Sequence, residues 1–215
     1  MDIAIIGAGN VGRSLATAFV RAGHTVAITS HDPDDAVAVA AATGAIFSAS
    51  NRDAASAASV VVLAVPFSSA ADIAAEIGEV VSGKVVIDAT NRMSFGADGP
   101  DIDTGSSNAE ELAALLPDAD VVKAFNTLFA SHQADPIAEG VQLDGYVAAD
   151  DDAARAVVLE LVESIGLTPV AVGPLVRARQ LEGLAFLNIS LNIANGGSWQ
   201  SGWKLVGAPR LADAA

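Results

Sequence analysis

The sequence predicts an α/β fold in which a doubly wound, mostly parallel sheet is covered by helices on both faces. First, short β-branched runs alternate with alanine-rich stretches of helix length over residues 1–125. Second, the run at residues 60–64 is apolar at every position, which is typical of a strand buried on both faces. Third, a glycine-rich turn separates the first predicted strand from the first predicted helix.

Each element is predicted from its hydrophobic pattern and from the turn residues that bound it. The predicted strands cover residues 3–6, 25–29, 45–47, 60–64, 85–88, 121–125, 146–148 and 169–172. The predicted helices cover residues 10–22, 33–42, 69–77, 108–115, 151–165 and 176–193. Gly23 and Gly166 follow two of these helices as C-cap candidates, and residues 94–100 are predicted to form a loop.

Composition limits the classes to which the chain can belong. It has 215 residues, 52% of them hydrophobic, which suits one domain with a sizeable core. The net charge of −15 and the scattered basic residues argue against a nucleic-acid partner. The chain contains no cysteine, which excludes disulfides, thiolate metal sites and a cysteine nucleophile.

Neither a membrane segment nor a secretory signal is predicted. The longest apolar run, residues 59–67, is far shorter than the roughly 20 residues that a bilayer requires. No basic region precedes the apolar residues that follow Met1. We therefore expect a cytoplasmic protein, and its acidity is as compatible with a salt-rich cytosol as with an ordinary one.

The strongest functional signal is the glycine-rich turn, which holds Gly7, Gly9 and Gly12 between an apolar strand and a helix. In a dinucleotide-binding turn, the first glycine permits the tight bend and the second lets the backbone approach the pyrophosphate. The third lets the helix pack closely on the sheet. The alternative is a purely structural glycine turn. We predict a dinucleotide-binding Rossmann domain over residues 1–215, with its core at 1–128 and a small C-terminal α/β extension at 129–215 that ends in a helix.

The end of the second strand is expected to select the cofactor. Proteins that bind NAD usually place a carboxylate there, whereas this chain has Ser30 and His31, and no acid before Asp32. Ser30 and His31 can both donate hydrogen bonds to a 2′-phosphate. The acidic residues that follow can instead stabilise the N-terminus of the next predicted helix through its dipole. The pattern favours NADP(H) and leaves NAD(H) possible.

Polar and aromatic residues follow three more strands at the edge where parallel sheets bind ligands. These strand ends are Val65-Pro66-Phe67, Asp88-Ala89-Thr90-Asn91 and Lys123-Ala124-Phe125-Asn126-Thr127. Their amide and hydroxyl groups suit a nicotinamide carboxamide and ribose. Asn and Thr also satisfy backbone groups at strand ends, which is the alternative explanation.

We predict neither a catalytic acid or base nor a metal site. His24 lies in a turn on the side away from the crevice, and His132 follows the sixth strand end closely enough to be a candidate. The acidic run at residues 150–152 is explained by a helix N-cap.

The glycine turn and the three strand ends recur in the same order in a known family. The chain resembles the NADP oxidoreductases that depend on the deazaflavin coenzyme F420, over nearly its whole length. It is also similar to the reductase domains of the six-transmembrane epithelial antigen metalloreductases. The run Lys123-Ala124-Phe125-Asn126-Thr127 is the more specific part of the resemblance.

The resemblance implies hydride transfer between NADP(H) and a flavin or F420-type ring, often in a homodimer. It places Asn10 and Val11 at the pyrophosphate and Ser30 and His31 at the 2′-phosphate. It implies that Pro66 and Phe67, with Val65 before them, pack near the nicotinamide ribose. The strand-end residues that are expected to border the two rings are Ala89, Asn91, Asn126, Thr127 and Leu128.

Two other functions stay open at this point. One is an NAD(P)-dependent reductase of a small imine, ketone or hydroxyacid, although the chain lacks the separate substrate domain of such enzymes. The other is a nucleotide-sensing module without turnover. The C-terminal aromatic residues Phe186, Trp199 and Trp203 are expected to cover the second ring, to form a dimer contact or to complete the core.

Overall fold

The computed structural model describes residues 1–96, 99–102 and 105–207. The strands are β1 (Asp2–Ile6), β2 (Thr25–Thr29), β3 (Ile46–Phe47), β4 (Val60–Leu63), β5 (Val85–Asp88), β6 (Ser94–Gly96), β7 (Gly99–Asp101), β8 (Asp120–Lys123), β9 (Ile137–Ala138), β10 (Val141–Gln142), β11 (Asp144–Ala149) and β12 (Thr168–Gly173). The α-helices are α1 (Asn10–Arg21), α2 (Pro33–Thr43), α3 (Asn51–Ala57), α4 (Ala70–Ile77), α5 (Asn108–Leu115), α6 (Ala130–Ala134), α7 (Asp152–Ser164) and α8 (Ala178–Ala194).

An eight-stranded sheet forms the centre of the fold, in the order β12-β11-β8-β5-β4-β1-β2-β3. The neighbours from β8 to β3 are all parallel, and β11 is parallel to β12. Only β11 against β8 is antiparallel, with Ala148 opposite Lys123 and Ala149 opposite Val122. The predicted Rossmann-type, mostly parallel sheet is confirmed.

The core lies on both faces of the sheet because β4, near its centre, carries no polar side chain on either face. In β4, every residue is 2% exposed or less. Val60 and Val62 pack with Leu15, Phe19 and other residues of α1, α2 and α7 on one face. On the other face, the alternate residues Val61 and Leu63 pack with residues of α3, α4 and α5. This burial on both faces is what the fully apolar run predicts.

The predicted element ends agree with the structure to within about two residues. Gly23 and Gly166 both have a φ of +88° just beyond a helix, as expected of C-terminal glycines. Asp151 caps α7 by accepting a hydrogen bond from the Ala154 N–H at 2.7 Å. The extension ends in α8 as predicted, and a segment at residues 195–207 follows it.

The prediction of a loop over residues 94–100 is wrong, because β6 and β7 pair there as a short antiparallel hairpin. Gly96 and Gly99 face each other in this pairing, and residues 97–98 lie outside the described residues. Helices α3 and α6 and the β9–β10 pair were not predicted either. These elements are only two to seven residues long, which is too short for a hydrophobic period to show.

Candidate functional site

Two glycines of the N-terminal turn are required by close backbone packing. Gly7 has a φ of +113°, and a Cβ there would lie 2.3 Å from the carbonyl oxygen of Ala64 at the end of β4. A Cβ on Gly12 would lie 1.8 Å from the Gly7 carbonyl oxygen. Gly9 differs, because a Cβ there would have nothing within 4 Å. The space beside Gly9 is therefore open to a ligand.

The N-terminus of α1 presents free backbone donors beside that space. Gly9 is the N-cap residue and provides no side-chain cap, and the first turn contains no acidic residue. The Arg13 N–H donates to the Gly9 carbonyl at 2.9 Å. The N–H groups of Asn10, Val11 and Gly12 precede this bond and have no carbonyl within the helix to which they can donate. Such a helix start suits an anionic phosphate.

One groove, which we call the glycine groove, lies on one side of this helix start and has a volume of about 430 Å³. It is lined by Ile6, Gly7, Ala8, Gly9, Ser30, His31, Asn51, Ala64, Val65, Pro66, Ser69, Asp72, Ile73 and Glu76. Ser30 and His31, which the sequence assigns to the cofactor, line it from the end of β2. Asp32 instead caps α2, where its carboxylate accepts the Asp34 N–H at 3.0 Å.

A second groove, the asparagine groove, lies on the other side of the same helix start and measures about 260 Å³. Its lining consists of Asn10, Val11, Asn91, Asn126, Thr127, Leu128, Phe129, Ala130, Ala185, Asn188 and Ile189. The strand-end residues form one wall, and α8 forms the other. None of the described residues that line it has a titratable side chain.

An interlocked amide pair fixes the strand-end wall of the asparagine groove. The Asn126 side-chain amide donates to the Asn91 Oδ1 at 2.9 Å, and the Asn91 amide donates to the Asn126 carbonyl at 3.1 Å. Asn126 also donates to the Leu181 carbonyl of α8 at 3.1 Å. Phe125, just before Asn126, is buried and has a φ of +64°. In a residue other than glycine this backbone conformation costs about 1–3 kcal/mol, and such residues cluster at functional sites.

Twelve of the fifteen predicted site residues line one of the two grooves, and three do not. Gly12 is buried under the turn, where its role is packing. Phe67 is half-buried in the turn after Pro66, and Ala89 is 6% exposed beneath the strand-end wall. The structure therefore places these three next to the grooves and not at their surface.

The histidine and tryptophan candidates lie outside both linings. His24 contacts the N-terminal amine at 3.2 Å and Ser164 at 3.0 Å, and is structural. The two ring nitrogens of His132 lie 3.0 Å and 2.6 Å from the carbonyl oxygens of Asp135 and Gln200, beside a separate cavity. Trp199 packs edge-on against Phe129, which lines the asparagine groove, and Trp203 packs against the core near Tyr146.

A buried charged cluster at the ends of β5 and β8 was not predicted from the sequence. Lys123, Asp88 and Glu182 have side chains that are 0%, 0% and 1% exposed, and they form two ion pairs. The available signal was a lysine directly after the apolar residues of a buried strand. Within the described residues, by contrast, no group of three acids or histidines is arranged to hold a metal ion.

Comparison with known proteins now decides the family. The model of the family described as NADP oxidoreductase coenzyme F420-dependent matches residues 2–92. The F420-dependent NADP reductase of Methanothermobacter thermautotrophicus is 37% identical over an alignment that covers 91% of this chain and 90% of that protein. This chain belongs to the F420-dependent NADP reductase family.

Other relatives define how far the family likeness extends. A crystal structure from Arthrobacter sp. FB24, provisionally assigned as an F420-dependent NADP reductase, superposes with a TM-score of 0.84 at 31% identity. The match covers 92% of this chain and 96% of that one. Metalloreductase STEAP3 of Rattus norvegicus is 30% identical over 85% of this chain but only 36% of its own length. In the described part of the chain, no helix has the length and apolarity to cross a membrane.

Proposed function

We propose that this protein transfers a hydride between NADP(H) and coenzyme F420. The observation that carries the proposal is the α1 N-terminus, which stands between two grooves in a chain of the F420-dependent NADP reductase family. A dinucleotide whose pyrophosphate lies at this helix start extends one half into each groove. The asparagine groove then holds the reactive half.

The residues present fit NADP(H). The open space at Gly9 and the free N–H groups of Asn10 and Val11 would hold the pyrophosphate. Ser30 and His31 would donate to the 2′-phosphate, because both line the glycine groove and the nearest following acid is used as a helix cap. Val65 and Pro66 line the glycine groove, so in this scheme they would pack against the adenosine half and not against the nicotinamide ribose that the resemblance implies, with Phe67 behind them.

Positioning is the main task of the ring-binding residues. When bound, the nicotinamide supplies or accepts the hydride. Asn91, Asn126 and Thr127 would orient its carboxamide and ribose, while Leu128 lines the groove as an apolar contact and Ala89 supports the wall from below. Because the groove's described lining has no titratable group, these residues act by holding two rings face to face and excluding water.

Two alternatives receive less support. Imine reductases and hydroxyacid dehydrogenases share the fold at 17–19% identity, and this chain covers only 59–66% of such chains. The likeness to these enzymes therefore extends to the fold and lends their substrates no support here. A nucleotide sensor would need no second wall, whereas α8 provides one. A flavin has the same flat shape as the deazaflavin and stays a possible acceptor.

The test is an acceptor screen with purified protein. We expect NADPH to be oxidised when F420 is added, and oxidised more slowly or not at all with FMN, a cyclic imine or a hydroxyacid product. NADH should replace NADPH poorly. Tight NADPH binding without oxidation by any flavin or deazaflavin would contradict the proposal and favour the sensor.

We also propose a homodimer that covers the outer face of α8. The buried face of this helix includes the polar residues Glu182, Asn188 and Asn192, whereas Leu187 and Leu191, one turn apart on the outer face, are 48% and 49% exposed. Exposed apolar residues in a row mark protein interfaces. A second copy of the chain is the occupant that the family resemblance implies. The cytoplasmic location stays a prediction.

The dimer can be tested by introducing charged side chains on the outer face of α8. We expect the double substitution Leu187→Glu and Leu191→Glu to convert the dimer to a monomer, measured as mass by light scattering during size exclusion. Val37→Glu is the matched control, since Val37 is 47% exposed on α2. If the wild-type chain is already a monomer at micromolar concentration, the dimer proposal is wrong.

A further inference from the structure

The buried charged cluster of Lys123, Asp88 and Glu182 lies where three structural elements meet. Lys123 ends β8 and Asp88 ends β5, and the two residues are register partners in the sheet. Glu182 comes from α8, which forms the far wall of the asparagine groove. The cluster is therefore a direct link between the two walls.

Each N–H of the Lys123 ammonium has an acceptor. The Nζ atom lies 2.8 Å from Asp88 Oδ2, 2.7 Å from Glu182 Oε1 and 2.6 Å from the Thr90 carbonyl oxygen. An ammonium carries three donors, so its capacity is used completely. Asn108 at the start of α5 completes the arrangement. Its backbone N–H donates to Glu182 Oε1 at 3.0 Å, and its side chain donates to Thr90 Oγ1 at 2.7 Å.

The residues that the cluster holds are adjacent to the groove lining. Thr90, bound by Lys123, precedes Asn91 of the amide pair. Leu181 precedes Glu182, and its carbonyl accepts the hydrogen bond from Asn126. Ala185, one turn beyond Glu182, lines the groove itself. A shift of Glu182 relative to Lys123 would therefore change the distance between the walls.

We propose that the Lys123–Glu182 contact sets the width of the asparagine groove and so positions the nicotinamide for hydride transfer. Glu182 is a positioning residue in this scheme, because it acts through Lys123, Thr90 and Leu181. The proposal rests on the function proposed above, since it assumes that the nicotinamide binds in this groove.

A purely stabilising role accounts less well for the cluster. Burying two carboxylates with one ammonium is costly, and apolar residues of similar volume often stabilise a core equally well or better. The Glu182 Oε2 atom is buried with no hydrogen-bond partner, and burial raises the pKa of Glu182 against the opposing effect of Lys123. The fixed geometry of the contact is what an apolar substitute would not reproduce.

The test compares Glu182→Ala with Glu182→Gln. Alanine removes the acceptor for Lys123, whereas glutamine keeps an oxygen at that place. We expect Glu182→Ala to bind NADPH within about threefold of wild type but to lose most of the fluorescence change of the bound reduced nicotinamide. Its single-turnover hydride transfer to F420 should fall at least about tenfold, which is about 1.4 kcal/mol. Glu182→Gln should restore both signals to within about threefold of wild type.

The matched control is Glu110→Gln. Glu110 also joins α5 to α8, through Arg179 at 2.7 Å, but it lies outside the cluster. Wild-type fluorescence in Glu182→Ala would overturn the proposal, and so would an equal loss in Glu182→Gln or Glu110→Gln. If Glu182→Ala does not fold, Glu182→Asp is decisive, because its shorter side chain withdraws the carboxylate from Lys123: a partial fluorescence loss supports the proposal, and a fluorescence change equal to that of the wild-type protein overturns it. Failure of the proposed function is distinguishable, because the wild-type protein would then show the fluorescence change of bound NADPH but no hydride transfer to F420.

Discussion

Gly9 and Gly12 lie on the same turn but meet opposite surroundings, and this contrast separates binding from folding. Gly9 has open space beside it, whereas Gly12 faces the Gly7 carbonyl. The sequence pattern alone assigns a role to each glycine. The distances in the structure show which substitution the fold tolerates.

We expect Gly9→Ala to keep the thermal stability of the wild type and to weaken NADPH binding, because its methyl group occupies the space open to the pyrophosphate. Gly12→Ala should lose about 1–3 kcal/mol of stability or fail to fold, because its Cβ overlaps backbone. Gly183→Ala is the control within α8, where a Cβ meets nothing within 4 Å and should stabilise the helix by about 0.5–1 kcal/mol. Thermal melts and NADPH titrations measure all three. An unstable Gly9→Ala with intact NADPH affinity would refute the assignment.

Ser30 is the residue at which cofactor choice can be tested. It lines the glycine groove at the end of β2, and a carboxylate there would repel a 2′-phosphate but accept a hydrogen bond from a 2′-hydroxyl. We expect Ser30→Asp to weaken NADPH binding about tenfold, or about 1.4 kcal/mol, with a smaller effect on NADH. Titration with both cofactors measures the ratio. Equal effects on the two would show that the end of β2 does not contact the 2′ position.

Sequence patterns reveal residues whose role is local, and long-range partners stay hidden. The glycine turn and Ser30 follow from a strand-turn-helix signature that spans few residues. Lys123 and Glu182 are 59 residues apart in the chain, so only the folded sheet and α8 show that they are partners. The positive φ of Phe125 was equally hidden, because no glycine or asparagine marks that position.

At the scale of elements, the long strands and helices were predictable because their hydrophobic periods are clear. The direction of β11 was not, since an apolar strand has the same pattern whether its neighbour is parallel or antiparallel. The packing of α8 was also hidden. Its buried face mixes Leu181 and alanines with Glu182 and two asparagines, while its exposed face carries leucines, so the pattern of polar and apolar residues does not show which face is buried.

Glu110 joins α5 to α8, and Glu182 joins α8 to the sheet. The contributions of these two carboxylates to stability change with pH in opposite directions. The hydrogen bond from Arg179 lowers the pKa of Glu110, so its stabilising effect is present above the ordinary glutamate pKa of about 4.3 and is lost as the pH falls through the lowered value. Burial raises the pKa of Glu182, so the folded state favours its protonated form. The stabilisation from Glu182 is therefore lost as the pH rises through the raised value.

Thermal melts across the acid range check both signs. The difference in Tm between wild type and Glu110→Gln should shrink as the pH falls from 6 towards 3. With Glu182→Gln, the difference should move in favour of the variant as the pH rises, because glutamine does not titrate. A Tm difference that is independent of pH in either variant would contradict the corresponding assignment.

At the scale of the whole molecule, the predicted boundary near residue 128 crosses a continuous sheet. Strands β11 and β12 from the C-terminal part extend the sheet beyond β8, and Glu182 supplies one of the partners of Lys123. We propose that residues 1–128 and 129–207 form one cooperative unit, in which the core depends on the extension.

We expect a fragment of residues 1–128 to lack a cooperative thermal transition. Its β8 edge would be exposed, and the buried Lys123 would keep only one of its two carboxylates. Circular dichroism melts of the fragment and of the full chain make the comparison. A fragment that melts cooperatively and binds NADPH would show that the core is independent.

The reversed direction of β11 also determines where a reporter can be placed. Because β11 is antiparallel to β8, it begins on the side where β8 ends, and its first residue, Asp144, binds Lys204 at 2.7 Å and the Leu205 N–H at 2.6 Å. The neighbouring Val206 is 88% exposed. Since the chain has no cysteine, Val206→Cys would create a unique thiol for a fluorescent dye beside the start of β11. Single-site labelling of this protein then needs no prior removal of native thiols.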